Sequence, residues 1–514
     1  MSSPSAIDGA VGDRARRRLL SDASGYMAAT YASQILAFGI GLLTKALLGP
    51  TDLGLWTLLL SVLSFLNLLE LGVIQAANKE ISYALSKGDD EAAQRYKRTQ
   101  FTFITLTALV GTIAVAGYAY LHTGPDGPLS VGLLAIAVLL PFYQIHLGQV
   151  TVFWANQKFA ATSLLIIFET LLAGSVGLFL IWYGGLAGQV ASFVIILFAK
   201  LGVLAWQARD VPRLHIAFGW DANALRHLLR LGLPLQIINL SNVLKLSGTV
   251  FLIAHYFDAE AVGIYAFALS VQNFVYWTPN AFSIVMFPRF QELYAKSNDE
   301  AAALRSYLTK PVIGLAFFLL PLLITTSYFF VSVLIEYALP AYRASIDVLA
   351  VMLLGTYFLS LEHMPGQLLT TANRLWQRVG LSAVNVGLVA ICLAVAISFQ
   401  WGLVGVVAGL SFANASMFLI SFIYAHAVAG ARQADQWLVV KLIAAFLYSV
   451  AVVCAIEYLL PASHGPWLDA LLLTIAKWLL GLGMMFPLFA FAERQLGLVK
   501  TFRNVLVDRL GARR

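Results

Sequence analysis

From about residue 24 almost to the C-terminus, apolar runs of roughly 20 residues, each long enough to cross a bilayer core, are separated by short polar segments. The pattern predicts membrane-spanning segments at 24–47, 53–77, 100–121, 130–154, 160–183, 185–206, 231–257, 261–287, 311–337, 345–371, 379–399, 402–426, 436–460 and 467–491. All fourteen are predicted to be helices, because a backbone facing lipid must satisfy its own hydrogen bonds and no strand-like alternation appears.

The polar segments fall into two kinds. Basic residues collect in the N-terminal tail (Arg14, Arg16, Arg17, Arg18) and after the second span (Lys79, Lys87, Arg95, Lys97, Arg98). They recur after the sixth span (Arg209, Arg213, Arg226, Arg230), after the eighth (Arg289, Lys296, Arg305, Lys310) and in the C-terminal tail (Arg494, Lys500, Arg503, Arg509, Arg513, Arg514). The opposite side carries Arg343 alone. Positive charge marks the cytoplasmic side, so both termini are expected there. The loops on the other side, such as GPTD, HTGPDGPL, ALPAYRA and PASHGP, are too short for an external catalytic domain.

Composition agrees with the pattern. The chain is 60% hydrophobic and 11% charged, with a mean hydropathy of +0.80, too apolar for a soluble protein of 514 residues. The net charge of +7 follows from the basic loops, which suit anionic lipid, so no nucleic-acid partner is implied. The first span is too long for the apolar stretch of a cleavable signal peptide. Cys392 and Cys454 both lie in apolar stretches and read as small buried hydrophobes, with no disulfide framework and no CxxC or CxxH metal spacing. No metal or cofactor is expected. Neither a GxxxxGK(S/T) phosphate loop nor an aspartyl-phosphate motif is present, so the expectation is a transporter without its own ATPase, and not an enzyme.

The chain repeats itself. LGLWTLLLSV at 53–62 returns as VGIYAFALSV at 262–271, and residues 53–93 align without a gap on 262–302 with ten identities. These include Gly54/Gly263, Phe65/Phe274 and a KxxDEAA loop pattern. A second correspondence carries His146–Asn156 onto His363–Asn373 and GLAGQVA at 185–191 onto GLVGVVA at 402–408. Spans one to six therefore correspond to spans seven to twelve, and an even number of spans makes the repeat parallel. The predicted fold is an all-α polytopic membrane protein of about fourteen transmembrane helices. Two six-helix lobes surround a central cavity, and two extra C-terminal helices follow. Its parts are a cytoplasmic tail (1–23), an N-lobe (24–206), a cytoplasmic linker (207–230), a C-lobe (231–426), accessory spans (427–491) and a C-terminal tail (492–514).

Residues 43–82, LTKALLGPTDLGLWTLLLSVLSFLNLLELGVIQAANKEIS, carry a long first span, LGP, a short polar turn, G-(L/I)-(W/Y), a DLG-like step and a basic residue before a cytoplasmic helix. This resembles the polysaccharide-transport branch of the multidrug/oligosaccharidyl-lipid/polysaccharide exporter superfamily, which contains O-antigen and exopolysaccharide flippases. The step is Glu70-Leu71-Gly72 here, a departure from the pattern, and the GLxG steps at 185–188 and 402–405 are also similar. The resemblance extends through residue 426. It implies translocation of an undecaprenyl-pyrophosphate-linked oligosaccharide to the outer leaflet of the bacterial inner membrane, through a V-shaped pair of lobes with a cationic cavity. The polymerase and chain-length components of a polysaccharide assembly system would be partners, together with membrane lipids.

A charge inside a span costs about 2.5–3.5 kcal/mol on insertion scales, so each marks a candidate site. Lys245, mid-span with Asn239, Ser241, Asn242 and Thr249 on one helical arc, is the leading candidate for the pyrophosphate. Lys45 is a second, with outward snorkelling as its alternative. Lys200, near a span end, reads as a snorkelling residue. His146 and His363, equivalent in the two halves, are candidate cavity groups or satisfied structural histidines. Glu169 is a candidate partner of one of these lysines or a protonatable coupling group, and Glu362 and Glu70 are further coupling candidates, with local capping or pairing the preferred role for Glu70. Lys477 in the last span suits a lipid headgroup or an acidic partner, and a lateral prenyl-chain groove beside the accessory spans is a further expectation. Tyr276 and Trp277 are weaker candidates for stacking on sugar. Three alternatives stay open: a multidrug antiporter of the same superfamily, a sugar-polymer enzyme, which the short loops disfavour, and a non-transporting scaffold.

Overall fold

Two glycines open the architecture. In α1 (Ala6–Leu66), Gly49 has φ 73° and ψ 172°, a conformation that side chains disfavour, and Pro50 follows with no N–H to leave unsatisfied. One run of helix thereby becomes two spans. In α6 (Leu178–Ala208), Gly185 (φ 54°, ψ −130°) does the same. The fold is taken from a computed structural model, which describes residues 6–122, 127–297, 304–430, 436–461 and 465–496. The side chains of 6–32, with Arg14, Arg16, Arg17 and Arg18, and that of Arg289 lie outside the description, as do Lys500, Arg503, Arg509, Arg513 and Arg514.

Among the described residues no strand occurs, and eleven helices have the length and composition to cross a membrane. Two of these, Ser33–Glu70 and Phe159–Ala208, contain the breaks at Gly49 and Gly185 and so hold two predicted spans each. With α8 (Ala259–Lys296), they account for the fourteen predicted from hydropathy.

The chain forms two compact units, Met1–Gly263 and Ile264–Arg514. The first contains α1, α2 (Val73–Ser86), α3 (Asp90–His122), α4 (Pro128–Ala155), α5 (Phe159–Leu172), α6 and α7 (Ala222–Tyr256). Leu59, Leu63, Leu133, Ile136 and Leu140 form one core cluster, and Val73, Phe101, Ile104, Phe153 and Leu228 belong to another. By contact, α7 belongs to this unit, packing on α1, α2 and α3, so the boundary lies past the polar segment 207–230.

Close approach explains the repeated glycines. A Cβ on Gly54 would stand 1.7 Å from the Ala259 carbonyl oxygen, and one on Gly263 would stand 1.8 Å from that of Pro50. Each copy of the repeated phrase contributes the glycine that lets the other's backbone come near. Gly72 (φ 78°) and Gly232 make a second such pair, with a Cβ on either falling 2.2 or 2.4 Å from the other's carbonyl oxygen.

The segment before α7 is strapped to the unit. Lys97 Nζ donates to the Arg213 carbonyl at 3.0 Å, Gln149 Nε2 to that of Leu214 at 2.6 Å, and Thr102 Oγ1 to that of Gly219 at 3.0 Å. Asp90 pairs with Arg213, and Asp221 accepts from the backbone N–H groups of Asn223 and Ala224, capping α7.

The second unit comprises most of α8, then α9 (Arg305–Gly314), α10 (Leu320–Ala338), α11 (Ser345–Leu361), α12 (His363–Thr371), α13 (Leu375–Ser398), α14 (Gly402–Val428), α15 (Gln436–Leu459), α16 (Trp467–Met484) and α17 (Phe486–Leu496). Its accessory helices are integral. Leu438, Leu442, Ala445, Leu488 and Ala492 join the same core cluster as Leu315, Tyr357 and Phe418. The buried Tyr357 hydroxyl lies 3.1 Å from the Ala316 carbonyl and 3.3 Å from that of Leu442, joining α11 to a π-helical turn (Leu315–Leu319) and to α15.

Candidate functional site

The first unit encloses a cavity of about 170 Å³ lined by α1 (Ile40, Thr44), α4 (Tyr143), α5 (Glu169) and α6 (Gln189, Ser192, Lys200). Glu169 and Lys200 are joined across it at 2.9 Å. The lysine side chain is 14% exposed and the carboxylate 42%, so the anionic partner is the more accessible of the two. Just past Glu169 the helix widens into a π turn (Ala173–Gly177), an irregularity that frequently accompanies functional sites. Gln189 Oε1 is buried without a hydrogen-bond partner among the described residues.

The sequence offered Glu169 as the partner of one of the lysines within the spans, and its spacing carries the signal that selects Lys200. Glu169 precedes Gly185 by sixteen residues and Lys200 follows it by fifteen. A hairpin broken at Gly185, rising about 1.5 Å per residue in both arms, sets the two at one depth. The cavity also gathers Tyr143, Gln189 and Ser192, which sequence reasoning did not single out.

On α4, Tyr143 hydrogen-bonds Asn67, which also accepts from Gln144 Nε2 at 3.2 Å. His146, one turn further, is buried with Nδ1 unpartnered among the described residues. Lys45 is buried beside the cavity-lining Thr44, its Nζ donating to the Gly41 carbonyl at 3.1 Å. Glu70 caps α2 by accepting from the Ile74 N–H at 2.8 Å, its preferred role. On α7, Ser241 and Thr249 are buried, Asn239 and Lys245 are half-buried and Asn242 is exposed. The predicted polar arc therefore runs from the packed face of α7 to its open side.

In the second unit, His363 stacks on Tyr276, with ring centroids 4.8 Å apart. Tyr276 is the repeat counterpart of Asn67, which in the first unit contacts Tyr143 and Gln144 instead of a histidine. Glu362 is half-buried, within electrostatic reach of Tyr276 and of Arg378, whose Nη1 donates to Thr370 Oγ1 at 2.6 Å. Trp277 is half-buried. Lys477 has its acidic partner, Glu457, at 2.8 Å, beside a cavity of about 130 Å³ that Glu336, Ser332 and Thr474 also line. Among the described residues no cluster of His, Cys, Asp and Glu is arranged to hold a metal ion, and Cys392 and Cys454 form no disulfide.

Residues 45–342 match the family model described as polysaccharide biosynthesis protein. The chain belongs to that family. No curated protein matches the chain in sequence. Solved structures share its fold. A multidrug resistance MATE family transporter of the MOP superfamily, inward-facing, is similar with a TM-score of 0.65 at 14% identity, over 77% of this chain and 94% of that one. The lipid II flippase MurJ in an inward closed conformation gives 0.64 at 14% identity, covering 92% and 99%. The Vibrio cholerae MATE transporter VcmN in the bent form gives 0.52 at 14%, covering 80% and 98%. The chain is thus a multi-pass membrane protein of the polysaccharide biosynthesis family, with a fold shared by MATE transporters and the MurJ flippase.

Proposed function

We propose that the chain is a flippase that carries an undecaprenyl-pyrophosphate-linked oligosaccharide from the cytoplasmic to the outer leaflet of the bacterial inner membrane by alternating access. The family match over residues 45–342, on a fold shared with a lipid flippase, carries the reading. Both termini lie in the cytoplasm, where the basic segments are. The product feeds the polymerase and chain-length components of a cell-surface polysaccharide system.

Charge separates this reading from the drug-antiporter alternative. An exporter of organic cations needs unneutralised carboxylates within its spans. Here the carboxylate of the first unit's cavity is matched by Lys200, while Lys45 and Lys245 add positive charge to spans of the same unit. That balance suits a diphosphate, and Lys245 is the leading contact.

Purified protein in proteoliposomes, given a fluorescent undecaprenyl-pyrophosphate oligosaccharide, should move the headgroup to a compartment where an external reagent reaches it. Lys245→Ala removes a charge-assisted contact of about 1.5–3 kcal/mol and should slow the movement roughly tenfold or more. Flipping by wild type with no effect of the substitution demotes Lys245. No flipping of the native glycan by wild type refutes the function.

A further inference from the structure

We infer that the cavity of the first unit is an oxyanion site in which the Glu169 carboxylate occupies the place of a substrate phosphate, so that the diphosphate and a proton arrive together. This rests on the flippase reading above and assigns it a second contact residue, Lys200, distinct from Lys245.

The geometry carries the argument. Lys200 is nearly enclosed, and its counter-charge is the more exposed Glu169 at 2.9 Å. Around the pair stand groups able to donate to an anion: the hydroxyls of Thr44, Tyr143 and Ser192, and the amide of Gln189. A cavity of about 170 Å³, the liquid volume of about six waters at about 30 Å³ each, has room for one phosphate group. A buried ammonium without a counter-ion is strongly unfavourable, so Lys200 exchanges one anion for another and is never left alone. Glu169, displaced from Lys200 into a partly apolar wall beside a more highly charged anion, takes up a proton. Release of the phosphate returns the carboxylate to the lysine and the proton to water. No covalent bond is made or broken.

The groups facing Glu169 bear on its titration. Lys200 approaches from α6 and Tyr143 from α4, the latter within electrostatic reach of the carboxylate. His146, on α4, is within reach of Lys200. From α1 come the uncharged Thr44 and, next to it, Lys45, whose Nζ donates to the Gly41 carbonyl. His146 is therefore the competing titrating group, and the test must separate it from Glu169.

Binding of undecaprenyl pyrophosphate to the full-length protein in nanodiscs is measured from mildly acidic to mildly alkaline pH, for wild type and for Glu169→Gln, Lys200→Met, Lys200→Arg and His146→Gln. The ligand's own titration is common to all and cancels in the ratio of wild type to E169Q. That ratio should change up to roughly tenfold per pH unit, as linkage of one proton requires, with wild type the weaker binder at high pH. His146→Gln should keep the slope. K200M should bind at least tenfold more weakly at every pH, and K200R should restore most of the affinity. Identical pH profiles for wild type and E169Q overturn the inference, as does loss of the slope in H146Q or wild-type affinity in K200M. E169Q is nearly isosteric and decides the matter alone should K200M fail to fold. Diphosphate binding by wild type with no effect at Glu169 or Lys200 refutes this site and leaves the flippase reading intact. No diphosphate binding by wild type at any pH refutes both.

Discussion

Gly54→Ala should loosen the first unit by an amount the crossing itself sets. The added Cβ meets the Ala259 carbonyl oxygen at 1.7 Å, and because the obstacle is backbone, no side-chain rotation relieves it. The two backbones must part by roughly 1.5 Å before ordinary contact returns, a gap that forfeits half or more of the dispersion attraction along the crossing. If the crossing engages as many atom pairs as one buried leucine, about 40–60 at about 0.1–0.2 kcal/mol each, the loss is about 2–6 kcal/mol. Alanine's better helix propensity returns about 1 kcal/mol, leaving a net cost near 3 kcal/mol. With an unfolding entropy of about 2.1 cal/mol/K per residue over residues 1–263, that lowers the melting temperature by about 5 °C. The assay is the loss of the monodisperse chromatographic peak on heating detergent-purified protein. Gly39→Ala, where nothing lies within 4 Å of the new Cβ, is the control and should melt no lower than wild type. The G54A/G263A double variant should fall short of the sum of the single effects, since both act at one crossing. G54A melting with wild type would refute the close-approach argument.

Two further outcomes test the packing elsewhere. Lys97→Met combined with Gln149→Leu removes two side chains that hold the segment before α7, so limited trypsin digestion should cut at Arg209 or Arg213 several-fold faster than in wild type; an unchanged rate refutes the strap. Lys477→Met strips Glu457 of its partner and should destabilise the protein by about 3 kcal/mol. The double change with Glu457→Gln should recover most of that in the same melting assay, and a double variant no more stable than K477M refutes the pair's structural role.

The spans were legible because crossing a bilayer demands long apolar runs, and the breaks at Gly49 and Gly185 were legible as GP and GG steps at their ends. Glu70 as a local cap was legible too, since it stands four residues before the N–H it accepts from. Contacts made across helices were not. The strap depends on Lys97 and Gln149 reaching carbonyls 116 and 65 residues away, which no periodicity encodes. Glu169 read as the partner of one of the lysines, but hydropathy places Lys200 near a span end, where it read as snorkelling, and only the equal arms about Gly185 select it as that partner. The accessory helices read as an appendage because they lack a repeat partner, yet Tyr357 and Leu442 join them to the second unit's core.

The wedge of Gly232 against Gly72 has a consequence for biosynthesis. The first unit is finished only when a residue 160 positions further along the chain arrives, and that residue belongs to the second half of the repeat. At roughly 5–20 residues per second the ribosome takes about 8–30 s to supply it. During that interval the third to sixth spans are added while the docking face for the seventh stays uncovered. Membrane chaperones and quality-control proteases therefore have their window on this protein before α7 emerges, and truncations that end in the polar segment before it should be degraded rather than accumulate as a stable half.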